Sequence, residues 1–553
     1  MLEQTSTTVL TKALRLAANH ASLDLPELTC SLQWAHRLKE LDAHAVLQAS
    51  ATFTEDAAKQ LRRTRQCCAM ITKNPALIGS DSDLRQEEAA RKFFATLGKN
   101  ARTTKRLNHF VKHPFRMSKQ SAMVARVLST ARMDLFSLLG PCPGSEDWEK
   151  FINAKVFSKG TIQGIAKGTY RNFIDVDPYA KLSEDQTFTG SSRCFARFGH
   201  LLIDGRLGTL LRDYRSKGSL KVRESNVSVA TCVPKDARTD RFIAIEPMLN
   251  AMAQQGIRAM FDKYLREWGI TLRDQSGNIK LARTSSRLGF HPDGFATIDL
   301  SSASDTITTS LVKYLLPSEW FNLLNDARTD AVEWKKEEHP TTSFSTMGNA
   351  FTFPLQCLIF SSLTRASIQC CTCEDRRWKV YGDDIILPIS ASGLLLEVLQ
   401  FVGFTPNEEK SFITGFFRES CGGDFLGGWD VRPVYLKEDI NEGLTKHQFF
   451  NALQRVSPAH PVLPFLYNTV KDPLIGPAMG PSGGETSHFV APIWLLRRLH
   501  MARWNKNTQT YVYRYSGLFP KSRKRYRKNW KAWYCCALLG SYGRCHDIRG
   551  SQR

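Results

Sequence analysis

Lys379-Val380-Tyr381-Gly382-Asp383-Asp384-Ile385-Ile386-Leu387 decides how the rest of this chain is read. β-branched and apolar residues flank a Gly-Asp pair on both sides, and Pro388 closes the run. The pattern predicts a tight hairpin: a short strand, a turn at Gly382-Asp383, then a second short strand. Two adjacent carboxylates at the tip of an apolar hairpin repel each other, and a bound cation relieves that repulsion. Hard oxygen donors suit Mg²⁺, which takes one or two protein carboxylates plus substrate phosphates. The pair reads as half of a phosphoryl-transfer metal site, against the plainer alternative of a solvated Asp-Asp turn.

Working outward, Phe295-Ala296-Thr297-Ile298-Asp299 predicts a buried strand ending in a carboxylate, with Ser301, Ser302 or Ser304 capping a helix that runs through Leu311 to Leu316. A carboxylate at the end of a buried strand is costly unless paired or metal-bound. The alternative for Asp299 is a capping or turn residue. Residues 345–360 predict a Gly348-Asn349 turn leading into an apolar helix, with Pro354 in its first turns. Gly348 would allow close approach of a substrate strand. Asn349 and Thr352 offer hydrogen bonds to a sugar or base. Farther upstream, residues 227–247 predict two strands joined by a loop bearing Lys235, Arg238 and Arg241, cations suited to clamp a triphosphate. Downstream, residues 401–425 alternate turn and strand. Lys410 there is either a proton donor or a surface lysine.

Composition bounds the partners. A chain of 553 residues can bury a large core and suggests several subdomains. Its hydrophobic content of 42% fits a globular protein. A formal charge of +22 points to a polyanion, and nucleic acid fits better than membrane because no apolar run of about 18 residues is present. The N-terminus lacks the basic-then-apolar order of a signal peptide. The 14 cysteines include adjacent pairs, awkward for a disulfide framework, so a reducing compartment is expected. Cys370 and Cys373 form a C-x-x-C with no second pair nearby, which argues against zinc.

Two segments are basic with interleaved aromatics: residues 98–126 and residues 494–534. Cationic, aromatic segments hold a nucleic-acid backbone and stack on bases. RNA contacts are expected at Lys105, Arg106, Arg523 and Arg525, and also at Arg418. A charge run is equally a solvated face. Residues 1–75 read as helical packing, with Thr54-Glu55-Asp56 opening one helix. Residues 139–170 read as a connector followed by irregular structure. Residues 440–553 read as mixed helix, with a flexible loop at 477–484.

The order of these segments resembles the palm motifs of viral RNA-dependent RNA polymerases, in their usual order F, A, B, C, D, E. Tyr381-Gly382-Asp383-Asp384 matches motif C. Ala296 to Asp305, Ser345 to Phe353, Gly415 to Gly422, and Val233 to Pro247 resemble the replicase catalytic subunit of the single-stranded RNA bacteriophages, the leviviruses. The likeness is close over residues 227–437. It implies an α+β right-hand architecture of fingers, palm with an antiparallel sheet, and thumb. Residues 1–150 would be a helical, fingers-associated region, 151–290 fingers with motif F, 291–440 palm with motifs A to E, and 441–553 thumb and basic C-terminal region.

The resemblance also implies two divalent ions held by Asp299, Asp383 and Asp384, Mg²⁺ with Mn²⁺ as a substitute. Two ions about 4 Å apart would serve the attacking 3′-oxygen and the leaving pyrophosphate. Lys235, Arg238 and Arg241 would contact phosphates, and Lys410 sits where motif D lysines protonate pyrophosphate. Many RNA polymerases carry a second motif A aspartate five positions after the first. Here that position is Ser304, and the aspartate is Asp305. Gln356 stands where animal-virus motif B ends in asparagine. Sugar selection could use Asp305, Asn349 or Gln356, and Ser304, Gly348 and Thr352 complete the expected nucleotide site. Host partners implied by the family are translation elongation factors Tu and Ts and a ribosomal RNA-binding protein, in the bacterial cytoplasm. The expected activity is primer-independent copying of a phage RNA genome. Two rivals are a reverse transcriptase, against which Gly382 argues, and a non-catalytic RNA-binding protein, which leaves the spacing of the three aspartates unexplained.

Overall fold

The computed structural model describes residues 2–23, 32–73, 82–113, 119–144, 163, 187–202, 221–437, 440, 443–469, 479–480, 488–507 and 509–513. The chain divides into two compact units. One comprises residues 21–174 and 178–437; the other comprises 1–20, 175–177 and 438–553.

The helices in chain order are α1 (Leu2–His20), α2 (Leu32–Ala51), α3 (Glu55–Thr72), α4 (Ser82–Lys112), α5 (Lys119–Leu139), α6 (Ser192–Phe198), α7 (Met248–Glu267), α8 (Ser276–Leu288), α9 (Thr309–Leu315), α10 (Ser318–Asp326), α11 (Thr352–Cys370), α12 (Ile389–Phe401), α13 (Gly443–Val456), α14 (Val462–Thr469) and α15 (Ile493–Arg498). The expected cap at Thr54 is present: its side chain accepts from the Ala57 N–H at 3.0 Å, with Glu55 and Asp56 in the first turn of α3.

The larger unit holds the sheets that place the chemistry. β1 (Thr187–Gly190) pairs in parallel with β2 (Lys221–Glu224). β3 (Val227–Pro234) and β4 (Asp240–Ile245) form the expected antiparallel hairpin. With β7 (Ala331–Trp334) and β8 (Glu337–Pro340) they make a four-stranded sheet in the order β4-β3-β7-β8. The central sheet is antiparallel, in the order β5-β10-β9, built from β5 (Phe295–Ile298), β9 (Lys379–Tyr381) and β10 (Asp384–Pro388). Ile385 sits opposite Ile298, and Asp384 opposite Tyr381. All four β5 residues are buried, as a strand covered on both faces requires.

α11 packs against β9 and β10 and against α5, α7 and α12. Fifteen of its 19 residues are buried, so it is a core helix with no solvent face. Its apolar side chains join those of α5, α7, α9, α12 and β5 in one continuous core. Pro354 lies in its first turn, where the missing N–H has no intrahelical partner to lose.

Two smaller sheets complete this unit. β6 (Leu300–Ser301) pairs with β11 (Thr405–Pro406), and β12 (Phe417–Ser420), β13 (Gly423–Leu426) and β14 (Trp429–Asp430) form a meander against α8.

One local expectation is corrected. No serine of 301–304 caps the next helix. Ser302 has φ +51°, in a turn, and α9 begins only at Thr309, capped by Thr308, whose side chain accepts from Leu311 N–H at 3.2 Å. Residues 302–306 first form a turn closed by Thr306 N–H donating to Ser302 C=O.

In the smaller unit α1 packs on α14 and α13 on α14. Met479–Gly480 pairs in parallel with Phe489–Val490, so part of the loop expected at 477–484 is a short strand. A two-stranded ribbon, Ala502–Asn505 with Thr510–Tyr513, follows α15. Arg523 and Arg525 lie outside the described residues.

Candidate active site

The hairpin tip is held by three features. Gly382 has φ +65°, and a Cβ there would stand 2.5 Å from the Phe353 ring. Its N–H donates to the buried Cys357 Sγ at 3.1 Å. Both anchors come from α11, so the core helix fixes where Asp383 and Asp384 emerge.

Asp299 follows β5 directly. Its carbonyl accepts from Asn407 N–H at 2.8 Å, and its carboxylate Oδ2 accepts from the Asn407 amide at 2.9 Å. Ser411 Oγ lies 3.2 Å from the Asp299 backbone N. Burial pushes its carboxyl up to about 6; Lys410 pulls it back and the Asp383 charge adds to the rise. Asp384 is held from the other side, where its Oδ1 accepts from Cys421 N–H at 3.1 Å and from Ser420 Oγ at 3.4 Å. Burial, then the Asp383 and Asp299 charges, push Asp384 up to about 7. The three aspartates thus converge electrostatically at one end of the central sheet.

Lys410 closes the other side. Its Nζ is 4.0 Å from Asp299 Oδ2 and 3.8 Å from Glu419 Oε1. Glu419 above all, then Asp299, holds the ammonium above its ordinary value. Lys410 is therefore not a free surface lysine. Asp299, Asp384, Lys410, Glu419, Lys73 and Cys421 line one cavity of about 220 Å³.

Glu419 and Lys73 were missed from sequence. The signal for Glu419 was strand alternation: in β12 it faces opposite to the buried Arg418, toward the cavity. Lys73 ends a helix far away in sequence, and nothing local marks it.

The basic hairpin reaches the same centre. Lys235, exposed by accessible area, is drawn below its ordinary value by partial desolvation and then by the Lys410 and Arg241 charges, while Asp299 acts the other way. The loop is shaped by Asp236, also missed: its Oδ1 accepts from the N–H groups of Arg238 at 2.9 Å and Thr239 at 3.0 Å. Arg238 is tied back to the same carboxylate at 3.4 Å. Arg241 lies in β4 rather than in the loop, opposite Val233, and is exposed.

Of the remaining six expected nucleotide contacts, four are buried, Asp305 is half-buried and Gly348 is exposed. The close approach at Gly348 (φ +114°) is to the chain itself: a Cβ would stand 2.0 Å from the Ala244 carbonyl of β4. Asn349 is buried, with Oδ1 accepting from Phe351 N–H at 3.0 Å. Thr352 donates to the Thr346 carbonyl at 3.0 Å. Ser304 and Gln356 are buried. Asp305 Oδ1 is shielded from solvent without a partner, and burial pushes this carboxyl up to about 7, partly offset by the Met347 N–H. None of these residues lines the 220 Å³ cavity.

One expected RNA contact is corrected. Arg418 is fully buried, and its guanidinium donates to the carbonyls of Phe295 (2.8 Å), Gly415 (2.8 Å), Phe417 (2.7 Å) and Ile413 (3.0 Å). It staples the meander to β5 and has no access to RNA. Arg106 donates to the carbonyls of Phe401 at 2.7 Å and Gln400 at 3.2 Å, closing the C-terminus of α12. Lys105 is exposed on α4.

Metal fit follows from the donor set. The carboxylates are hard donors that raise one another's proton affinity, so cations suit them. Among the described residues, no three acidic, His or Cys side chains form a ready-made metal cage. Ions here would share their coordination with substrate phosphates and water. Among the described residues, no helix is long and apolar enough to cross a membrane.

Fold and site together define an α+β protein built on the palm of the right-hand polymerase fold. The family model described as RNA replicase, beta-chain, matches residues 36–464, and the chain belongs to that family. Among relatives, the RNA-directed RNA polymerase beta chain of Enterobacteria phage GA is 34% identical over 370 residues, covering 67% of this chain and 65% of the relative. The beta subunit of Escherichia virus Qbeta is 42% identical over 230 residues, 41% of this chain and 38% of the relative. The beta chain of Escherichia phage MS2 is 36% identical over 275 residues, 48% of each. The chain thus matches less than two thirds of these relatives' own length. The RNA-dependent RNA polymerase of a human picorbirnavirus aligns with a TM-score of 0.34 at 13% identity, over 64% of this chain and 82% of that one.

Proposed function

We propose that this chain is the catalytic subunit of an RNA-directed RNA polymerase that copies a single-stranded RNA phage genome without a primer. The observation that carries it is the convergence of Asp299, Asp383 and Asp384 at one end of the β5-β10-β9 sheet, with Lys410 and Lys235 across from them. Asp299, Asp383 and Asp384 would hold two divalent ions, Mg²⁺ with Mn²⁺ as substitute. When bound, these supply charge neutralisation at the attacking 3′-oxygen and at the triphosphate.

The chain's own residues do the rest. Lys235 and Arg241, on a hairpin stiffened by Asp236, orient the triphosphate by charge. Lys410, kept protonated by Glu419, is placed to give its proton to the departing pyrophosphate. The backbone clamps on Asp299 and Asp384 keep both carboxylates aimed at one point. Ser304, Asp305, Gly348, Asn349, Thr352 and Gln356 would form the nucleotide site beside the carboxylates.

The region assignment goes with this reading: 1–150 fingers-associated helices, 151–290 fingers, 291–440 palm, 441–553 thumb and basic C-terminal region. So do host elongation factors Tu and Ts and a ribosomal RNA-binding protein as partners, and action in the bacterial cytoplasm.

The test is NTP incorporation on a single-stranded RNA template with Mg²⁺, comparing wild type with Asp383→Asn, each with and without host extract. Ribonucleotide product that disappears in the variant is expected. Product that needs extract shows a required host factor. RNA binding by both proteins with no synthesis anywhere would sink the reading.

A further inference from the structure

Away from the carboxylates, a groove of about 600 Å³ opens beside the outer end of β9. The C-terminus of α7, the first turns of α8, the middle of α11 and residues 376–379 line it. Its aromatic wall is built rather than incidental. The Arg365 guanidinium lies 4.9 Å from the Trp268 ring centre and 5.9 Å from that of Trp378. Arg365 is itself anchored by donating to Asp134 at 3.3 Å. Both indoles are partly exposed.

The charge is one-sided. Five cations line the groove, with Glu267 as the one acid. Arg365 is neutralised by Asp134, and Arg377 by Asp375 at 2.6 Å. Lys280, Arg376 and Lys379 make no ion pair within 4 Å among the described residues; the Asp274 carboxyl feels Lys280 and Lys379 only at longer range. Gly277 leaves room for the Lys379 side chain to lie across the groove wall, its Cε 3.1 Å from where a Cβ would be.

We propose that this groove binds a segment of single-stranded RNA outside the catalytic centre, its phosphates on Lys280, Arg376 and Lys379 and a base against the Trp268–Trp378 wall. Uncompensated cations beside indole faces are what tracks a backbone and stacks bases without reading sequence. An acidic polypeptide would use the cations and leave the rings idle. Lys379 starts β9, whose other end, Tyr381, leads into the Gly382-Asp383 turn; at about 3.3 Å per residue the strand spans roughly 7 Å. A strand engaged at the catalytic centre therefore reaches the groove within a few nucleotides. The inference rests on the polymerase reading for the strand being RNA.

The test measures binding by the full chain to a short labelled oligouridylate across a salt series, for wild type and for Lys280→Gln with Arg376→Gln. Losing two phosphate contacts should weaken binding roughly tenfold near 0.15 M salt and reduce the salt slope by about 1.4. Photocrosslinking of a 5-iodouridine oligomer to wild type should label the peptides holding Trp268 or Trp378, a readout that needs no variant. Equal affinity and slope in the variant, or crosslinks confined to residues 494–513, overturns the proposal. Displacement of the RNA by polyglutamate without indole crosslinks assigns the groove to an acidic protein and also overturns it. Nucleotide addition by the wild type is followed in parallel: its absence defeats the polymerase reading, while the binding result still decides the groove.

Discussion

Arg418 and Glu419 are neighbours with opposite fates. Strand alternation sends one into the core and the other into the cavity lined by Asp299 and Asp384. Arg418→Met would take this donor from the carbonyls of Gly415, Phe417 and Ile413, while the Phe295 carbonyl keeps Ser285 Oγ. At about 1–3 kcal/mol for each unsatisfied group, the variant should lose at least about 3 kcal/mol in a denaturant titration. RNA affinity of the folded fraction should not change. Asp305 makes a second prediction. Burial raises its carboxyl from 3.8 to about 7. Between those pH values the folded chain keeps a proton that the unfolded chain has lost, so this group's stability contribution is present at low pH and lost as pH rises. Asp305→Asn should therefore melt higher than wild type at pH 8, with the difference closing toward pH 4. A constant offset across that range would contradict the assignment.

Turns do the positioning at the scale of elements. The β12–β13 turn grips Asp384 through Cys421 N–H and Ser420 Oγ. Ser420→Ala removes an outer-shell partner of a proposed ligand, and such losses cost about 10–100-fold in metal affinity or activity. A divalent-ion titration of incorporation should show the half-saturating concentration rise, with melting little altered. The turn before α11 is tied to β4 instead. Gly348→Ala combines φ +114° with a Cβ 2.0 Å from the Ala244 carbonyl. That segment must shift, and the variant should be both less stable and slower at incorporation. Restored activity without restored stability would show the shift to be harmless. These elements were legible to different degrees. The Tyr381–Asp384 hairpin, the β3–β4 pair and the Thr54 cap follow from local pattern. The start of α9 was misplaced because several serines compete for the cap, and a turn at 302–306 precedes the helix.

The whole larger unit imposes burial on Asp299 and Asp384. Asp299 and Asp384 are raised to about 6 and about 7 chiefly because the surrounding elements desolvate them. Protons then compete with cations over that range. The divalent-ion concentration for half-maximal incorporation should rise as pH falls from 8 to 6, and a pH-independent value would contradict the burial. The sequence by itself determined the hairpin, the motif order, the basic balance and the three candidate aspartates, because these depend on local pattern and on charge that needs no partner to be counted. Only the tertiary structure decided which basic residues are available. Arg418 looks like any other cation until the fold buries it among carbonyls, including that of Phe295 on β5. Glu419 and Lys73 enter the site for the same reason. Their neighbours are hundreds of residues away or across a strand, and proximity in space is what sets a charged group's hydration, partners and proton affinity.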